Sequence, residues 1–479
     1  MLTAKITNRY LPFWIFSLSI GFGLILPRLI QEGMWQDGML YSGVAHNLSV
    51  GYGTFWFPQY STLNVFGLHS FHEHPPLVFG IEALFFKVLG DSIYVERFYT
   101  FFTLIISIIL INQIWKIIFF KDANVAALGW LPVLLWLIIP ICYWNFQNNM
   151  QENTMDVFLF GSVLLSLHAI QSPKHKILLW ILSGFSIVLA TLCKGIPGFF
   201  PITLPFLYWL STRKISFKES IFYSIILILV PVASYCILIL IPESRESLSL
   251  YFFQRVLNRI QYLPSTTNRL NILWSLFTQL LPPLIFVIIV QILFRIRESP
   301  PPSKFSKLSL VFILLGVAGS APLALTFCQR DYYLVPSLSY FAIGLAILIA
   351  PEVADFIHSI NVGNVKFKLF RFFSIIFFLS VFIFTQTQIG EASHDKELIH
   401  DVKEIGKIVP KFSTLTVPPQ MYDQYDFVLQ GYLVRYCNIS IDPNKKYKYY
   451  LIEKDIKADI PSIYKKVNTL MTKYDLYKQ

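Results

Sequence analysis

A single carboxylate lies among aromatic and apolar residues shortly after the first hydrophobic block of the chain. Asp37 belongs to the segment MWQDGMLY, residues 34–41. A carboxylate in such surroundings is a candidate general base, which could take the proton of an attacking hydroxyl group. The structural alternative is a helix cap, because aspartate often precedes an apolar helical run. The residue types leave both interpretations open.

A histidine-rich segment follows in the same polar region. It reads HSFHEHPP, residues 69–76, and contains three histidines and one glutamate. His72, Glu73 and His74 are candidate ligands for a divalent metal, although a tetrahedral site needs further ligands. His74 could instead bind an anion. An ordinary polar loop at the membrane interface is the alternative.

Two further acids follow an amide-rich stretch. Glu152 directly follows the segment NFQNNMQ, residues 145–151, and Asp156 lies four residues after Glu152. Their i, i+4 spacing places both on one face of a helix. Amides and carboxylates together could bind the hydroxyl groups of a sugar. Helix capping and solvation of a loop are alternative roles for the same residues.

Two cations stand at turns where basic residues are disfavoured. Lys194 lies in LCKGIP and Arg330 in CQRDYYLVP, each between two hydrophobic blocks. Cations held there indicate an anionic ligand such as a lipid phosphate. Alternatively, the cations reach toward lipid headgroups, and Arg330 could pair with Asp331. A later loop adds four arginines that could contact headgroups of any kind: Arg245, Arg255, Arg259 and Arg269.

Long hydrophobic blocks must position these side chains. Hydrophobic residues make up 55% of the chain and charged residues only 14%, against about 25% charged in a soluble domain. Backbone groups in lipid must be satisfied within one segment, so the blocks predict membrane helices. The eleven predicted spans are 11–30, 98–118, 123–143, 155–171, 177–193, 196–210, 219–241, 271–293, 308–326, 332–351 and 369–388.

The charges between the blocks predict the orientation. The basic residues on alternate connections are Lys116 and Lys121; Lys174 and Lys176; Arg213, Lys214 and Lys218; Arg295, Arg297, Lys304 and Lys307; and Lys366, Lys368 and Arg371. Basic loops stay in the cytoplasm, which places the N-terminus there as well. The net charge of +11 therefore encodes topology, and nucleic-acid binding is excluded because the cations are short clusters between apolar blocks.

The remaining segments predict two domains. Residues 1–390 form an all-α membrane domain, in which the short apolar segment 77–90 lies along the outer interface. Residues 391–479 have a globular composition and predict a small α/β domain outside the cytoplasm. Within this domain, 395–408 and 420–430 have helical patterns. The five cysteines form no CxxC motif and are expected to be structural.

In chain order, these features resemble the GT-C glycosyltransferases, in the branch that holds protein O-mannosyltransferases and the lipid A aminoarabinose transferase. The resemblance covers roughly 10–350. The matched residues are Asp37 with Tyr41, His74-Pro75-Pro76-Leu77, Gly90, Arg97, Glu152 to Asp156, Lys194-Gly195 and Tyr333-Leu334-Val335-Pro336. Many relatives carry Asp-Glu where this chain has Asp37-Gly38, and some carry Lys in place of His74.

The resemblance implies a hexosyl- or pentosyltransferase. Its donor would be a polyprenyl-phosphate-linked sugar, used at the outer face of the inner membrane among membrane lipids. The acceptor would be lipid A, another glycolipid, a polysaccharide or a protein. Asp37 would be the catalytic aspartate, whose carboxylate deprotonates or orients the acceptor. Substrate would be bound by Tyr41, His74, Glu152, Asp156, Lys194, Arg330 and Tyr333, and the histidine segment would permit, but not require, a divalent metal.

Two other functions fit a chain with these spans. A transporter or flippase of lipid-linked sugars would place ionisable residues at mid-membrane and show repeated halves. Here the polar residues cluster at the ends of the spans, and the sequence shows no internal repeat. A non-catalytic assembly subunit is the other alternative. The residue pattern favours an enzyme.

Overall fold

The computed structural model describes residues 2–64, 70–172, 174–257, 265–294, 303–422 and 427–479. The α-helices are α1 Leu2–Leu29, α2 Gln36–Ser49, α3 Leu77–Leu89, α4 Val95–Ile118, α5 Ala123–Ala126, α6 Trp130–Leu137, α7 Pro140–Gln147, α8 Glu152–Gln171, α9 Lys176–Lys194, α10 Leu204–Thr212, α11 Phe217–Leu240, α12 Pro242–Ser249, α13 Asn271–Phe294, α14 Ser303–Ser320, α15 Val335–Ser359, α16 Val365–Gln386, α17 Lys396–Ile408 and α18 Val428–Cys437. Short 3₁₀ segments are Ile196–Thr203, Ala321–Leu325, Asp331–Leu334 and Pro419–Met421, and Leu250–Leu257 is π-helical.

Nine helices in the described ranges are long and apolar enough to cross a membrane. They correspond to nine of the eleven predicted spans. The predicted span 123–143 is broken instead: α5 and α6 meet α7 at an angle of 82°, and Pro140 begins α7. Proline fits the first turn of a helix but disrupts a helix interior, which explains the break.

The predicted span 196–210 is also not a continuous α-helix. It begins as the 3₁₀ segment Ile196–Thr203 and continues as α10. Pro197 and Pro201 lie within the 3₁₀ part, where they remove backbone donors. Eight residues of 3₁₀ helix followed by nine of α-helix rise about 30 Å, which matches the thickness of the hydrocarbon core.

The central helix of the bundle is α15. In the span that contains it, 89% of the most apolar stretch is buried inside the protein, whereas the corresponding share is 17% for α11 and α16 and 22% for α13. Helices that are apolar on all sides and half-exposed face lipid. α3 has 13 residues, about 20 Å of rise, and is too short to cross the bilayer core of about 30 Å.

The C-terminal residues form a five-stranded sheet with two helices. Its strands are β1 Thr414–Thr416, β2 Ser440–Asp442, β3 Tyr449–Glu453, β4 Lys465–Lys466 and β5 Tyr474–Lys478, in the order β2-β1-β3-β5-β4. β1 is parallel to β2 and β3, and β5 is antiparallel to β3 and β4. The sheet confirms the predicted α/β class. Of the helix expected at 420–430, residues 423–426 lie outside the described residues; before them is the 3₁₀ segment that ends at Met421, and after them α18 begins at Val428.

α18 packs directly on α2. Arg435 on α18 is fully buried and pairs with Glu96 on α4 at 2.9 Å and with Asp91 at 3.4 Å. His46 on α2 contacts the same Asp91 carboxylate at 2.8 Å. The His46 hydrogen bond, with Lys411 and Arg435 nearby, lowers the pKa of Asp91. The charges join the C-terminal domain to α2 and α4.

The topology prediction has a direct test. A reporter enzyme that is active only outside the cytoplasm, fused after Gln479, is expected to be active because the basic loops stay inside. The matched control is the same reporter inserted at Gly363, in the turn before the basic residues of α16. That control should be silent. A silent Gln479 fusion in well-expressed protein would mean that the span count is wrong by an odd number.

Candidate active site

α2 carries Asp37 in its first turn. The helix begins at Gln36 with Trp35 at the cap position, and no side chain in the described ranges caps it. Asp37 is therefore not the capping residue, and the structural alternative is wrong. Its carboxylate is half-buried and accepts a hydrogen bond from the Tyr332 hydroxyl at 3.1 Å. Tyr332 comes from the segment ahead of α15, so the contact joins the two ends of the membrane domain.

Tyr41 lies one helical turn after Asp37 and contacts the histidine segment. Its hydroxyl is 3.1 Å from Nε2 of His74, and the two rings meet edge to face. Burial raises the pKa of the Tyr41 phenol well above its usual range, and the Asp37 carboxylate adds to this effect. Tyr41 is therefore a neutral hydrogen-bonding partner that fixes the His74 ring.

Lys194 ends α9 beneath two aromatic rings. Its ammonium forms a buried ion pair with Glu152, the first residue of α8. The same ammonium is 5.1 Å from the centroid of the Tyr332 ring and 5.5 Å from that of Tyr333. Cations are attracted to the faces of aromatic rings. Asp37, Tyr332, Lys194 and Glu152 thus form one continuous chain of contacts.

A cavity of about 170 Å³ opens beside Lys194. Arg255, on the segment Leu250–Leu257, also lines it and pairs with Glu73 at 2.8 Å. Both members of this pair are buried. The further lining residues are Glu73, His74, Ile196, Pro197, Tyr251, Val256, Leu323, Thr326, Cys328 and Tyr333. The cavity therefore combines the Lys194 ammonium, the Arg255 guanidinium and the Glu73 carboxylate with an aliphatic wall.

Four predicted substrate ligands do not line this cavity: Tyr41, Glu152, Asp156 and Arg330. Arg330 is exposed at the start of the 3₁₀ segment Asp331–Leu334 and does not line the cavity. Asp156 is fully buried one turn after Glu152 in α8, and within the described part of the chain neither of its carboxyl oxygens has a hydrogen-bond partner. Arg255 holds the second cationic position instead of Arg330. In sequence it is one of four loop arginines, and nothing local distinguishes it.

The three candidate metal ligands have separate partners. His72 lies 2.6 Å from the Ser70 hydroxyl, and burial lowers the pKa of its imidazole to about 4. Glu73 and His74 have the partners described above. Among the described residues, no three His, Cys, Asp or Glu side chains are grouped so that they could hold a metal ion. His69 lies outside the described residues.

Comparisons with known proteins give the fold. A search of curated protein sequences finds no match. Residues 73–238 match the family model of dolichyl-phosphate-mannose-protein mannosyltransferases. The crystal structures of ArnT from Cupriavidus metallidurans, bound to undecaprenyl phosphate and in the apo state, are each 12% identical with a TM-score of 0.61, over 99% of this chain and 97% of that chain. The chain has the GT-C glycosyltransferase fold.

A second solved structure shows the same fold over a larger protein. The apo oligosaccharyltransferase of Archaeoglobus fulgidus is 13% identical with a TM-score of 0.50, over 90% of this chain and 65% of that chain. At these identities, the likeness is one of fold. The GT-C resemblance predicted from the ordered residues is confirmed at that level, and the polytopic helical class with a small C-terminal sheet is confirmed with it.

One departure from the family pattern that the sequence resembles has a structural reason in this chain. Gly38 follows Asp37, at the position where the resemblance leads us to expect glutamate. A Cβ atom at Gly38 would overlap the backbone carbonyl oxygen of Asn148. The close approach is fixed further by the Trp35 amide, which donates to the Asn148 side chain at 2.7 Å. Any side chain at position 38 is therefore excluded here by the adjacent backbone, and Asp37 is the single acid of this turn.

Proposed function

We propose that this protein is a membrane glycosyltransferase that moves a sugar from a polyprenyl-phosphate donor to an acceptor hydroxyl group at the outer face of the inner membrane. The observation that carries the proposal is the position of Asp37. The Tyr332 side chain contacts both this carboxylate and the ammonium of Lys194, and Lys194 lines the cavity. A general base beside a phosphate-binding site is what such a transfer requires.

The cavity suits a lipid phosphate. The aliphatic wall is formed by Ile196, Pro197, Val256 and Leu323. Lys194 and Arg255 lie beside it, each held by a carboxylate. Lysine has three N–H donors and arginine five, so one side chain can bind both its carboxylate and a phosphate oxygen. Undecaprenyl phosphate in the ArnT structure supports this ligand class.

The residues divide the reaction between them. The acceptor oxygen forms a bond to the anomeric carbon, and the bond from that carbon to the phosphate oxygen breaks. Asp37 accepts the hydroxyl proton, and the leaving polyprenyl phosphate takes the electron pair. Lys194 and Arg255 stabilise the charge that develops on the phosphate. His74, whose ring contacts the Tyr41 hydroxyl, also lines the cavity and donates a hydrogen bond to the phosphate in this proposal.

Donor binding tests this division. Lys194→Gln and Arg255→Gln are each expected to weaken donor affinity about tenfold or more, because a charge-assisted contact contributes roughly 1.5–3 kcal/mol. Affinity is measured by titrating labelled polyprenyl-phosphate sugar into the full chain in nanodiscs. Arg330→Gln is the matched control and should bind as the wild type does, because Arg330 is exposed outside the cavity.

Loss of the Arg255 charge also affects its ion-pair partner, Glu73. Removing the Arg255 charge leaves Glu73 buried without its ion pair, which is destabilising. The double variant Arg255→Gln/Glu73→Gln removes both charges and restores the balance. If the two single variants and the double variant all bind donor with wild-type affinity, the cavity is not the phosphate site. Sugar transfer by the purified wild type tests the enzyme assignment itself.

A further inference from the structure

One buried amide joins three helices that surround the site. Asn149 lies in the turn between α7 and α8, with a positive φ of 48°. Its side-chain NH₂ group donates to the Ser42 hydroxyl on α2 at 3.0 Å and to a carboxyl oxygen of Glu82 on α3 at 2.8 Å. Its carbonyl oxygen accepts a hydrogen bond from Thr100 on α4. All four side chains are buried.

These helices carry the residues of the candidate site. Ser42 is the residue after Tyr41 on α2. Glu82 lies on the helix that begins three residues after His74. Asn149 itself is three residues before Glu152, the partner of Lys194. The base side and the phosphate side of the site therefore meet at one hydrogen-bonded amide.

Glu82 is a fully buried acid that the proposed reaction does not use. One carboxyl oxygen accepts from Asn149, and the other has no hydrogen-bond partner among the residues that the structure describes. The charged and titratable groups that face it are Glu96 and the Tyr99 phenol on α4 and Arg435 on α18. Arg435 is already paired with Glu96. Burial, together with the Glu96 charge, raises the pKa of Glu82 to about 8, so the carboxyl group is neutral at pH 7.

We propose that Glu82 and Asn149 are positioning residues, which hold α2 against α3 and so set Asp37 and Tyr41 relative to His74 and the donor cations. This inference rests on the proposed function. Ionised Glu82 would place a second negative charge beside the buried Glu96, and like charges repel strongly where the protein shields them from solvent. The packing of α3 against α2 and α4 then loosens, and Asp37 loses its position.

The pH dependence of turnover tests the inference. In the wild type, kcat is expected to fall above about pH 8, as Glu82 ionises. Glu82→Gln mimics the neutral acid, so its kcat should follow the wild type at pH 7 and lack this fall. Glu352→Gln, on α15, is the matched control and should keep the wild-type profile. The same fall in Glu82→Gln and wild type would overturn the proposal.

A folding measurement is independent of activity. The pKa of Glu82 is raised from 4.5 to about 8, so the folded state retains a proton that the unfolded state loses between those values. The stability of the wild type relative to Glu82→Gln should therefore fall as pH rises from about 5 to about 8 and then level off. A constant difference in Tm across this range would contradict the buried setting of Glu82.

Asn149→Gly supplies the second variant. Glycine tolerates the positive φ of position 149 and removes only the side-chain contacts. Its kcat is expected to fall about tenfold or more at every pH, because the geometry of α2 is no longer fixed. Wild-type kcat would overturn the role of Asn149. If the wild type itself transfers no sugar, the proposed function fails, while the Tm series still decides whether Glu82 is held as a neutral acid.

Discussion

Asp37→Asn is expected to lower kcat by about 10²–10⁴-fold, because general base catalysis typically contributes that much. An acceptor hydroxyl group is a poor nucleophile until its proton is taken, and asparagine cannot take it. The amide oxygen of asparagine can still accept the hydrogen bond that Tyr332 makes to Asp37. Protein yield and donor affinity should therefore remain close to those of the wild type. The measurement is sugar transfer at saturating donor.

The acid nearest to Asp37 in the sequence provides the control for this variant. Glu32 precedes α2, pairs with Lys403 of the C-terminal domain at 2.7 Å and is not a lining residue of the cavity. Glu32→Gln should keep wild-type kcat. Full activity of Asp37→Asn would remove Asp37 from the reaction. A smaller loss that does not vary with pH would indicate that Asp37 orients the acceptor, as expected when a phosphate group is the nucleophile.

Gly38→Ala is expected to lower kcat by about 10²-fold. The new Cβ would overlap the Asn148 carbonyl oxygen, and backbone cannot move aside as a flexible side chain can. The first turn of α2 must shift, and a displacement of about 1 Å at a reacting group can cost about 10²-fold. Donor affinity should change little, because the cavity lies on other elements. The measurement is kcat beside donor affinity.

Gly43→Ala is the matched control on the same helix. Its Cβ would meet a methyl group of Val434 at 3.2 Å, which a small rotation of that side chain relieves. The two alanine variants therefore carry the same chemical change and differ in whether the obstacle is backbone. Equal kcat values for both variants would mean that the close approach of α2 to Asn148 does not position Asp37.

The membrane helices could be predicted because lipid imposes a simple requirement on the backbone. A segment in lipid must satisfy its own hydrogen bonds, so each apolar block corresponds to a helix. The two deviations occur where prolines remove backbone donors, at Pro140 and at Pro197 with Pro201. A hydropathy pattern does not show whether a proline begins a helix or breaks it, since that depends on the neighbouring elements.

Pairing across the chain could not be predicted in the same way. Asp37 and Tyr332 are separated by 295 positions, and no local pattern encodes their contact. The sequence identified Lys194 as an unusual cation, and the structure places it in the cavity. The sequence also favoured Arg330 over Arg255, because Arg330 lies at a turn between two hydrophobic blocks. Only the packing of Leu250–Leu257 over the end of α9 distinguishes these two arginines.

The most direct measurement is sugar transfer in proteoliposomes that contain the purified full chain and a polyprenyl-phosphate hexose or pentose. Glycan, lipid and protein acceptors are supplied in turn. Our account predicts that the wild type releases polyprenyl phosphate in equal amount to the glycosylated acceptor, and that Asp37→Asn does so at least about 10²-fold more slowly. Movement of intact donor between leaflets, without cleavage and at the same rate in Asp37→Asn, would contradict the account and indicate a transporter.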